Sequence, residues 1–225
     1  MIKTNLAVLM AERGLKISDI YEATGISKTT LMAISDNTGK GIQYETMDKL
    51  CNYLGVTPSE FFVYFPYSIN FDSILKYDEF DTGFYINCFL KKESWESSEN
   101  IQFSINQTSL INELIGYDRN FDKYDFSLYV ECSPLKNLFK KMPIQFKRSV
   151  ELEMIESIFK AISNADVSKF EEIGSYDAPT VDFIKKLNSR KDGESTAFIA
   201  LNFEDDSTLF METKVKIKKH KLLLK

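Results

Sequence analysis

The chain has 225 residues, of which 44% are hydrophobic and 27% charged, and it carries a formal net charge of −5. This balance predicts a soluble globular protein with enough apolar side chains for packed cores. No run of about 18 apolar residues occurs, and the N-terminus lacks the apolar stretch of a secretory signal, so we expect neither a membrane span nor secretion.

The first 66 residues have the apolar spacing and the terminal signals of five short helices. In the first of them, Leu6, Leu9 and Met10 follow the i, i+3, i+4 pattern of one helix face. The last begins with a capping box, because Thr57 precedes Pro58 and is followed three residues later by Glu60. The five predicted helices begin near Thr4, Ser18, Ser27, Tyr44 and Thr57, and the first four end at Arg13, Gly25, Ser35 and Gly55. We therefore expect an all-α, five-helix domain over residues 1–66.

The segment 17–34 within this domain has the pattern of two helices joined by a tight turn. Gly25 lies between them, where a sharp reversal needs a residue that tolerates positive φ. Ser18 is predicted as the N-cap of the first helix, and Ser27 as the N-cap of the second. The apolar residues expected to face inward are Ile20, Ala23, Leu31 and Ile34. This arrangement is typical of a module that places its second helix in a DNA groove.

From residue 67 onward the pattern changes to a mixture of strands and helices. Alternation predicts strands at 84–93, 101–107, 124–132, 195–203 and 208–218, with a polar turn at 94–98 and another at Glu204–Ser207. Helical spacing predicts helices at 110–115, 134–141, 144–165 and 178–187. These elements predict an α+β domain with a mainly antiparallel sheet over residues 67–225, and hence an α+β fold for the whole chain.

The first 66 residues resemble the lambda-repressor-like family of helix-turn-helix regulators, also called the Cro-type or XRE family. The resemblance rests on the spacing of Ile20, Gly25, Ile26, Leu31 and Ile34, on the loop after helix three, and on the segment from Leu50 to Phe61. It implies a sequence-specific domain that binds double-stranded DNA through its third helix. By this resemblance, the base-contacting residues are Lys28, Thr29, Met32 and Ala33, and the phosphate-contacting residues are Ser18, Ser27, Thr30, Asn37 and Lys40.

Tyr21 departs from the family pattern, because a small residue usually occupies this position. Its bulky ring predicts either an altered angle between helices two and three or a ring that lies partly over the surface. The base-contacting residues also include no Arg, Gln or Asn, the side chains that make bidentate contacts to G or A. We therefore expect an operator rich in A·T near the contacts, with DNA shape contributing to specificity.

The first 66 residues hold six lysines and arginines against seven acids, so this domain is close to neutral. Lys3, Lys28 and Lys40 are the cations that we expect on its docking face. A small number of phosphate contacts predicts modest affinity for a single domain and a dependence on dimers.

Catalytic chemistry has little sequence support. His220 is the single histidine and is interpreted as a solvated residue of a lysine-rich tail. The signature of a self-cleaving Ser/Lys peptidase is absent, as is a glycine-rich phosphate loop. Cys51, Cys88 and Cys132 are widely spaced, which predicts buried, reduced thiols in a cytoplasmic protein. We expect no enzyme activity, no metal site and no cofactor.

Three patterns outside the helix-turn-helix segment keep more than one interpretation. Asp205, Asp206, Glu212 and Lys214 have a weak likeness to the carboxylate and Glu-x-Lys pattern of metal-dependent nucleases. The lysine-rich tail from Lys214 onward is compatible with contacts to DNA phosphates and with an edge strand whose lysines prevent pairing with other chains. We favour the edge strand. The aromatic stretch 61–80 lines a pocket or packs in a core, and we favour the core.

These observations predict a two-domain transcriptional regulator, a repressor of the kind found in phages and mobile elements. It is expected to bind a near-palindromic operator as a homodimer, with the second domain supplying dimerisation and regulation. The alternative is an antitoxin-like autorepressor whose C-terminal domain binds a protein partner.

Overall fold

The structure is a computed structural model that describes residues 1–78, 83–116, 120–166, 168, 178–187, 189–203 and 208–224. The chain divides into two compact units. The first comprises Met1–Tyr67 together with Met142–Ser149, and the second comprises Ser68–Lys141 and Val150–Lys225. Among the helices in the described ranges, none combines the length and apolarity needed to cross a membrane.

The first unit contains short helices and a two-stranded ribbon. The helices are α1 (Leu6–Arg13), α2 (Ile17–Thr24), α3 (Lys28–Ser35), α4 (Tyr44–Leu54) and α5 (Pro58–Phe61). Strands β1 (Ile2–Thr4) and β2 (Phe62–Tyr64) pair antiparallel, with Lys3 opposite Val63. The all-α prediction for residues 1–66 was therefore wrong. Three-residue strands are too short to leave an alternation signal, and these two form because α5 brings their distant sequences together.

Local hydrogen bonds explain where two of the helices begin. Ser27 caps α3 as predicted, since its Oγ accepts the backbone N–H of Thr30 at 3.1 Å. Ser18, in contrast, lies inside the first turn of α2 rather than at its N-cap. The carboxylate of Asp19 reaches back to the backbone N–H of Lys16 at 2.8 Å, so that the helix begins at Ile17. Gly25 ends α2 at a φ of 70°, in the left-handed conformation that the turn requires.

Apolar residues from all five helices form one core in the first unit. Ile20, Leu31 and Ile34 are buried in it as predicted. Ala23 is exposed, which corrects the expectation that it faces inward. The buried stripe of α2 continues from Ile20 to the half-buried Thr24 instead, because a four-residue step stays on the same helix face. The buried core consists of Leu6, Leu9, Met10, Ile20, Ile26, Leu31, Ile34, Leu50, Cys51, Leu54 and Phe61.

The second unit is built around an eight-stranded sheet. Its strands are β3 (Ser68–Phe71), β4 (Lys76–Asp78), β5 (Gly83–Lys92), β6 (Trp95–Ile105), β7 (Phe126–Glu131), β8 (Gly193–Asn202), β9 (Leu209–Lys218) and β10 (Lys221–Leu224). Their order is β10-β9-β8-β7-β6-β5-β3, with β4 also pairing with β5. All pairs are antiparallel except β7 and β8, where Phe126 lies opposite Ala197. The predicted mainly antiparallel sheet is thus confirmed.

Helices cover both faces of the middle of this sheet. They are α6 (Thr108–Ile115), α7 (Lys136–Lys141), α8 (Ile144–Ser163) and α9 (Ala178–Leu187), and α8 up to Ser149 belongs to the first unit. On one face, the ring of Phe126 lies 6.1 Å from Phe159 of α8 and 4.9 Å from Phe183 of α9. On the other face, Ile111 of α6 packs with Phe198 and Ala200. Strand β8 is consequently apolar on both sides.

Two strand predictions are corrected by the sheet. β6 begins at Trp95, so the predicted polar turn at 94–98 was wrong; the chain reverses immediately after Lys92, with Glu93 at a φ of 54°. β10 was not predicted, and it occupies the edge of the sheet, so β9 has a partner on each side. The interpretation of Lys214–Lys218 as a lysine-guarded edge strand was therefore wrong. The predicted turn at Glu204–Ser207 lies outside the described residues.

Candidate nucleic-acid interface

Helix α3 presents one face to solvent and the opposite face to the core. Lys28, Thr29 and Met32 are exposed, and the side chain of Met32 is 54% accessible. Ala33 is half-buried at the margin of this face. Leu31 and Ile34 are buried on the opposite side and fix the rotation of the helix. The structure thus gathers the four residues implied as base contacts on or beside one accessible helical surface.

The first turn of α3 carries two of the implied phosphate contacts. Ser27 and Thr30 are both exposed, and their hydroxyl oxygens lie 2.8 Å apart. The first backbone N–H groups of a helix have no intrahelical partner, and the helix dipole adds positive potential there. Ser27, Thr30 and this helix end together form an arrangement that can accept a phosphate.

Ser18 and Lys40 lie in two other segments of the first unit. Ser18 is half-buried in the first turn of α2, where its hydroxyl donates to the carboxylate of Asp19 at 3.2 Å. Lys40 is exposed in the loop between α3 and α4, where it lines an open cavity of about 300 Å³ together with Ala33. The side chain of Lys40 is therefore accessible to a phosphate. The hydroxyl of Ser18, in contrast, lies beside the negatively charged Asp19 carboxylate, which repels a phosphate.

Asn37 is occupied by contacts within the domain. Its Oδ1 accepts the backbone N–H of Thr4 at 2.6 Å, and its Nδ2 donates to the carbonyl of Thr4 at 3.2 Å. Its backbone has a φ of 55°, a conformation that Asn tolerates better than most residues. We assign Asn37 a structural role that joins β1 to the end of α3, in place of the phosphate contact implied by resemblance.

Lys3 is also held inside the first unit. Its ammonium donates to the carbonyl of Gln145 at 3.0 Å and to the hydroxyl of Ser149 at 2.5 Å. The same nitrogen lies 5.4 Å from the centre of the Phe146 ring. The expectation that Lys3 belongs to the docking face is replaced by this structural role. Sequence patterns could not show it, because the partners lie more than a hundred residues away.

Tyr21 contributes to the candidate interface beside Lys28. The ring is 43% exposed, and the Lys28 ammonium lies 5.3 Å from its centre. The second of the two expected consequences of a bulky residue at this position is thus confirmed: the ring lies partly over the surface. Cation–π attraction at an exposed site is worth about 0.5–1 kcal/mol, enough to bias the rotamers of a flexible lysine. The departure from the family pattern was the sequence signal for this residue.

The nuclease-like pattern gains no support from the second unit. Glu212 accepts hydrogen bonds from the Tyr124 hydroxyl and from the Lys123 ammonium, the latter at 3.2 Å. Its charge is thereby balanced by Lys123. Asp205 and Asp206 lie outside the described residues, and among the residues that are described no cluster of acidic, histidine or cysteine side chains could hold a metal. His220 lies in the turn between β9 and β10, with Nδ1 at 3.3 Å from the carbonyl oxygen of Leu187.

The three thiols occupy core positions rather than reactive ones. Cys51, Cys88 and Cys132 are buried and form no disulfide, as predicted. Burial, reinforced by Glu99 and Glu153, raises the pKa of Cys88 to about 12. Burial likewise raises the pKa of Cys132 well above that of a free thiol. The thiolate form that nucleophilic chemistry needs is therefore disfavoured at both positions.

Comparison with known sequences supports the geometry of the first unit. Residues 5–66 match the Cro/C1-type HTH DNA-binding domain. This match confirms the resemblance for less than a third of the chain, and the C-terminal part is unrecognised. Neither a curated protein nor a solved structure matches the chain.

Proposed function

We propose that this protein, whose residues 5–66 form a Cro/C1-type helix-turn-helix DNA-binding domain, is a transcriptional repressor that binds a near-palindromic operator as a homodimer. The observation that carries the proposal is the exposed face of α3, where Lys28, Thr29 and Met32 stand clear of the core. The hydroxyls of Ser27 and Thr30 accompany the helix N-terminus beside this face. Bases and backbone phosphates can therefore be contacted from one surface.

The chemistry of this face indicates how sequence would be recognised. Lys28 can donate to the O6 or N7 acceptors of guanine as a point charge. The methyl groups of Thr29 and Ala33 can pack against thymine methyls. With no bidentate side chain on the face, the remaining specificity comes from A·T-rich shape at neighbouring base pairs.

We propose a dimer because few of the cations that the first unit carries were expected on its docking face. Lys28 and Lys40 are exposed there, whereas Lys3 is engaged with Gln145 and Ser149. A single domain with few phosphate contacts binds weakly, and two linked domains on half-sites one helical turn apart bind far more tightly. We assign self-association to the second unit and propose a repressor of phage or mobile-element type without enzymatic activity.

The proposal is tested by selecting bound sequences from a random duplex pool with the full-length protein at physiological salt. An enriched inverted repeat, with A·T pairs near the contacts, is the expected result. Sedimentation with the selected duplex should then show two chains per duplex. If the folded protein enriches no sequence but retains a second protein tightly in a pull-down, the antitoxin-like alternative replaces the repressor.

Lys28→Ala is the matching substitution on the recognition face. We expect the preference for the selected operator over random duplex to fall by about 1 kcal/mol, roughly fivefold, because one base-edge donor is lost. Lys40→Ala is the control, since loss of a phosphate contact weakens both duplexes alike. Titration of both variants on both duplexes measures the ratio. Equal losses on the two duplexes for Lys28→Ala would contradict its role in reading bases.

A further inference from the structure

The end of the sheet at β9 and β10 carries a row of lysines on one face. Lys214, Lys216 and Lys218 alternate along β9 and are exposed, while the intervening Val215 and Ile217 are buried on the opposite face. Lys221 of β10 is exposed and lies opposite Lys218. We call these four residues the lysine face.

The register of the strands sets which charges lie opposite this row. Like charges placed directly opposite each other across antiparallel strands are destabilising, and Lys218 faces Lys221 in this way. Lys214 lies opposite the neutral Thr196, and only Lys216 has an acid, Glu194, as its cross-strand partner. In the parts of the chain that the structure describes, no ion pair includes any of the four lysines. One repulsive pair, Lys218 with Lys221, is thus set against one attractive pair, Lys216 with Glu194, and the four lysines leave the face with a net positive charge.

Protection of a sheet edge does not explain all of these side chains. Lysines guard edges where backbone groups are left unpaired. Over Val215–Lys218, β9 is paired with β10 on one side and, up to Ile217, with β8 on the other, so Lys216 and Lys218 guard no edge, whereas Lys214 lies just beyond the stretch that β10 covers. Edge protection therefore accounts for at most Lys214 and Lys221, and an exposed row of like charges suits an anionic partner.

We propose that the lysine face binds the phosphate backbone of duplex DNA without reading its sequence. This inference rests on the proposed function, since a DNA-binding chain with a nearly neutral first domain gains affinity from phosphate contacts made elsewhere. Alternate residues of an antiparallel strand are about 6.8 Å apart. That distance is about twice the 3.4 Å rise per phosphate along one DNA strand, so successive lysines can contact separate phosphates.

The experiment compares two triple variants of the full-length protein. The first, Lys214→Gln with Lys216→Gln and Lys218→Gln, removes three charges from the lysine face. The second, Lys140→Gln with Lys141→Gln and Lys160→Gln, removes three charges from exposed positions elsewhere in the second unit. Both are titrated with random duplex and with the selected operator over a range of salt concentrations, after circular dichroism has shown that they are folded.

For the first variant, we expect the slope of log affinity against log salt to become shallower by about 2 to 3 on both duplexes, since each lost phosphate contact removes about 0.9. The control variant should keep the slope of the unmodified protein. Equal slopes for the two variants overturn the proposal and leave an acidic protein as the partner class.

The same titrations separate this proposal from the proposed function. If the unmodified protein binds random and selected duplexes equally while the first variant still loses slope, sequence-specific repression fails and the lysine face stands. If operator preference is intact and the slope does not change, the lysine face fails and the repressor stands. Absence of binding to any duplex overturns both.

Discussion

Tyr21 and Lys28 show how one side chain alters a recognition surface. Tyr21 occupies a position where the family has a small residue, and its ring, rather than disturbing the core, lies beside the Lys28 ammonium at 5.3 Å from the ring centre. A lysine has high rotamer entropy in water, so an aromatic neighbour that restricts it lowers the entropic cost of a base contact. We therefore regard Tyr21 as a positioning residue for Lys28.

A double-mutant cycle on Tyr21 and Lys28 tests this role. Tyr21→Ala should reduce operator preference severalfold, while Tyr21→Phe should retain it because the ring face is preserved. In the combined variant Tyr21→Ala with Lys28→Ala, the losses should fall short of their sum by about 0.5–1 kcal/mol. Affinities of the four proteins for the selected operator and for random duplex provide the measurement. Strict additivity would show that the ring acts independently of the lysine.

Asn37 and Lys3 illustrate the opposite case, in which a residue of suitable type is already occupied. Each has the hydrogen-bonding groups that bind phosphate. In the folded chain these groups form hydrogen bonds with residues that are distant in sequence. Asn37 bonds to Thr4, and Lys3 bonds to Gln145 and Ser149. The family pattern, for Asn37, and the distribution of charge, for Lys3, therefore did not show which side chains remain available.

The β9–β10 hairpin has a local sequence that suits its turn conformation poorly. Lys219 and His220 form its two-residue turn, with φ angles of 49° and 63°. Such turns strongly prefer Asn-Gly, because left-handed conformations strain other residues by about 1–2 kcal/mol each. The turn is held by neighbouring contacts, including a bond of 2.8 Å from the Lys219 backbone N–H to the Asp192 carboxylate.

Replacement of the turn by Asn-Gly should stabilise the protein. For the combined substitution Lys219→Asn and His220→Gly, we expect the free energy of unfolding to rise by about 1 kcal/mol, since the strain is relieved while the Asp192 bond to the backbone is kept. Thermal denaturation should show a gain of about 2–4 °C for a chain of this length. Lys219→Ala is the control and should give no gain, because Ala retains the strain. A combined variant no more stable than this control would contradict the explanation.

The composition of the first unit could be recognised only at the scale of the whole molecule. Residues 142–149 belong to it although they follow the first 66 residues by a long stretch of sequence. Phe146 is fully buried, with its ring centre 5.8 Å from that of Phe65. Gln145 adds a hydrogen bond of 2.5 Å from its Nε2 to the side-chain oxygen of Asn5. The helix-turn-helix region is therefore stabilised in part by residues outside its family match.

Phe146→Ala should destabilise the first unit by about 3–5 kcal/mol, the usual cost of deleting a buried aromatic ring. Amide hydrogen exchange should show reduced protection in α1 to α5, and operator affinity should fall with it. Ile144→Ala is the matched control, because Ile144 lies two residues away and is 66% exposed. That change should stay within about 0.5 kcal/mol. Similar stability of the two variants in chemical denaturation would show that Phe146 is not part of the supporting core.

Local sequence patterns were enough to predict the helix-turn-helix domain, the cap at Ser27, helix α9 and the mainly antiparallel character of the second unit. These features depend on periodicity, capping and turn chemistry within a few residues, which are local properties of the chain. Tertiary structure alone decided the β1–β2 ribbon, the edge position of β10, the attachment of residues 142–149 and the occupation of Asn37 and Lys3. Each depends on a hydrogen bond or a packing contact between distant residues, and local patterns show which face of an element is apolar without showing what will cover it.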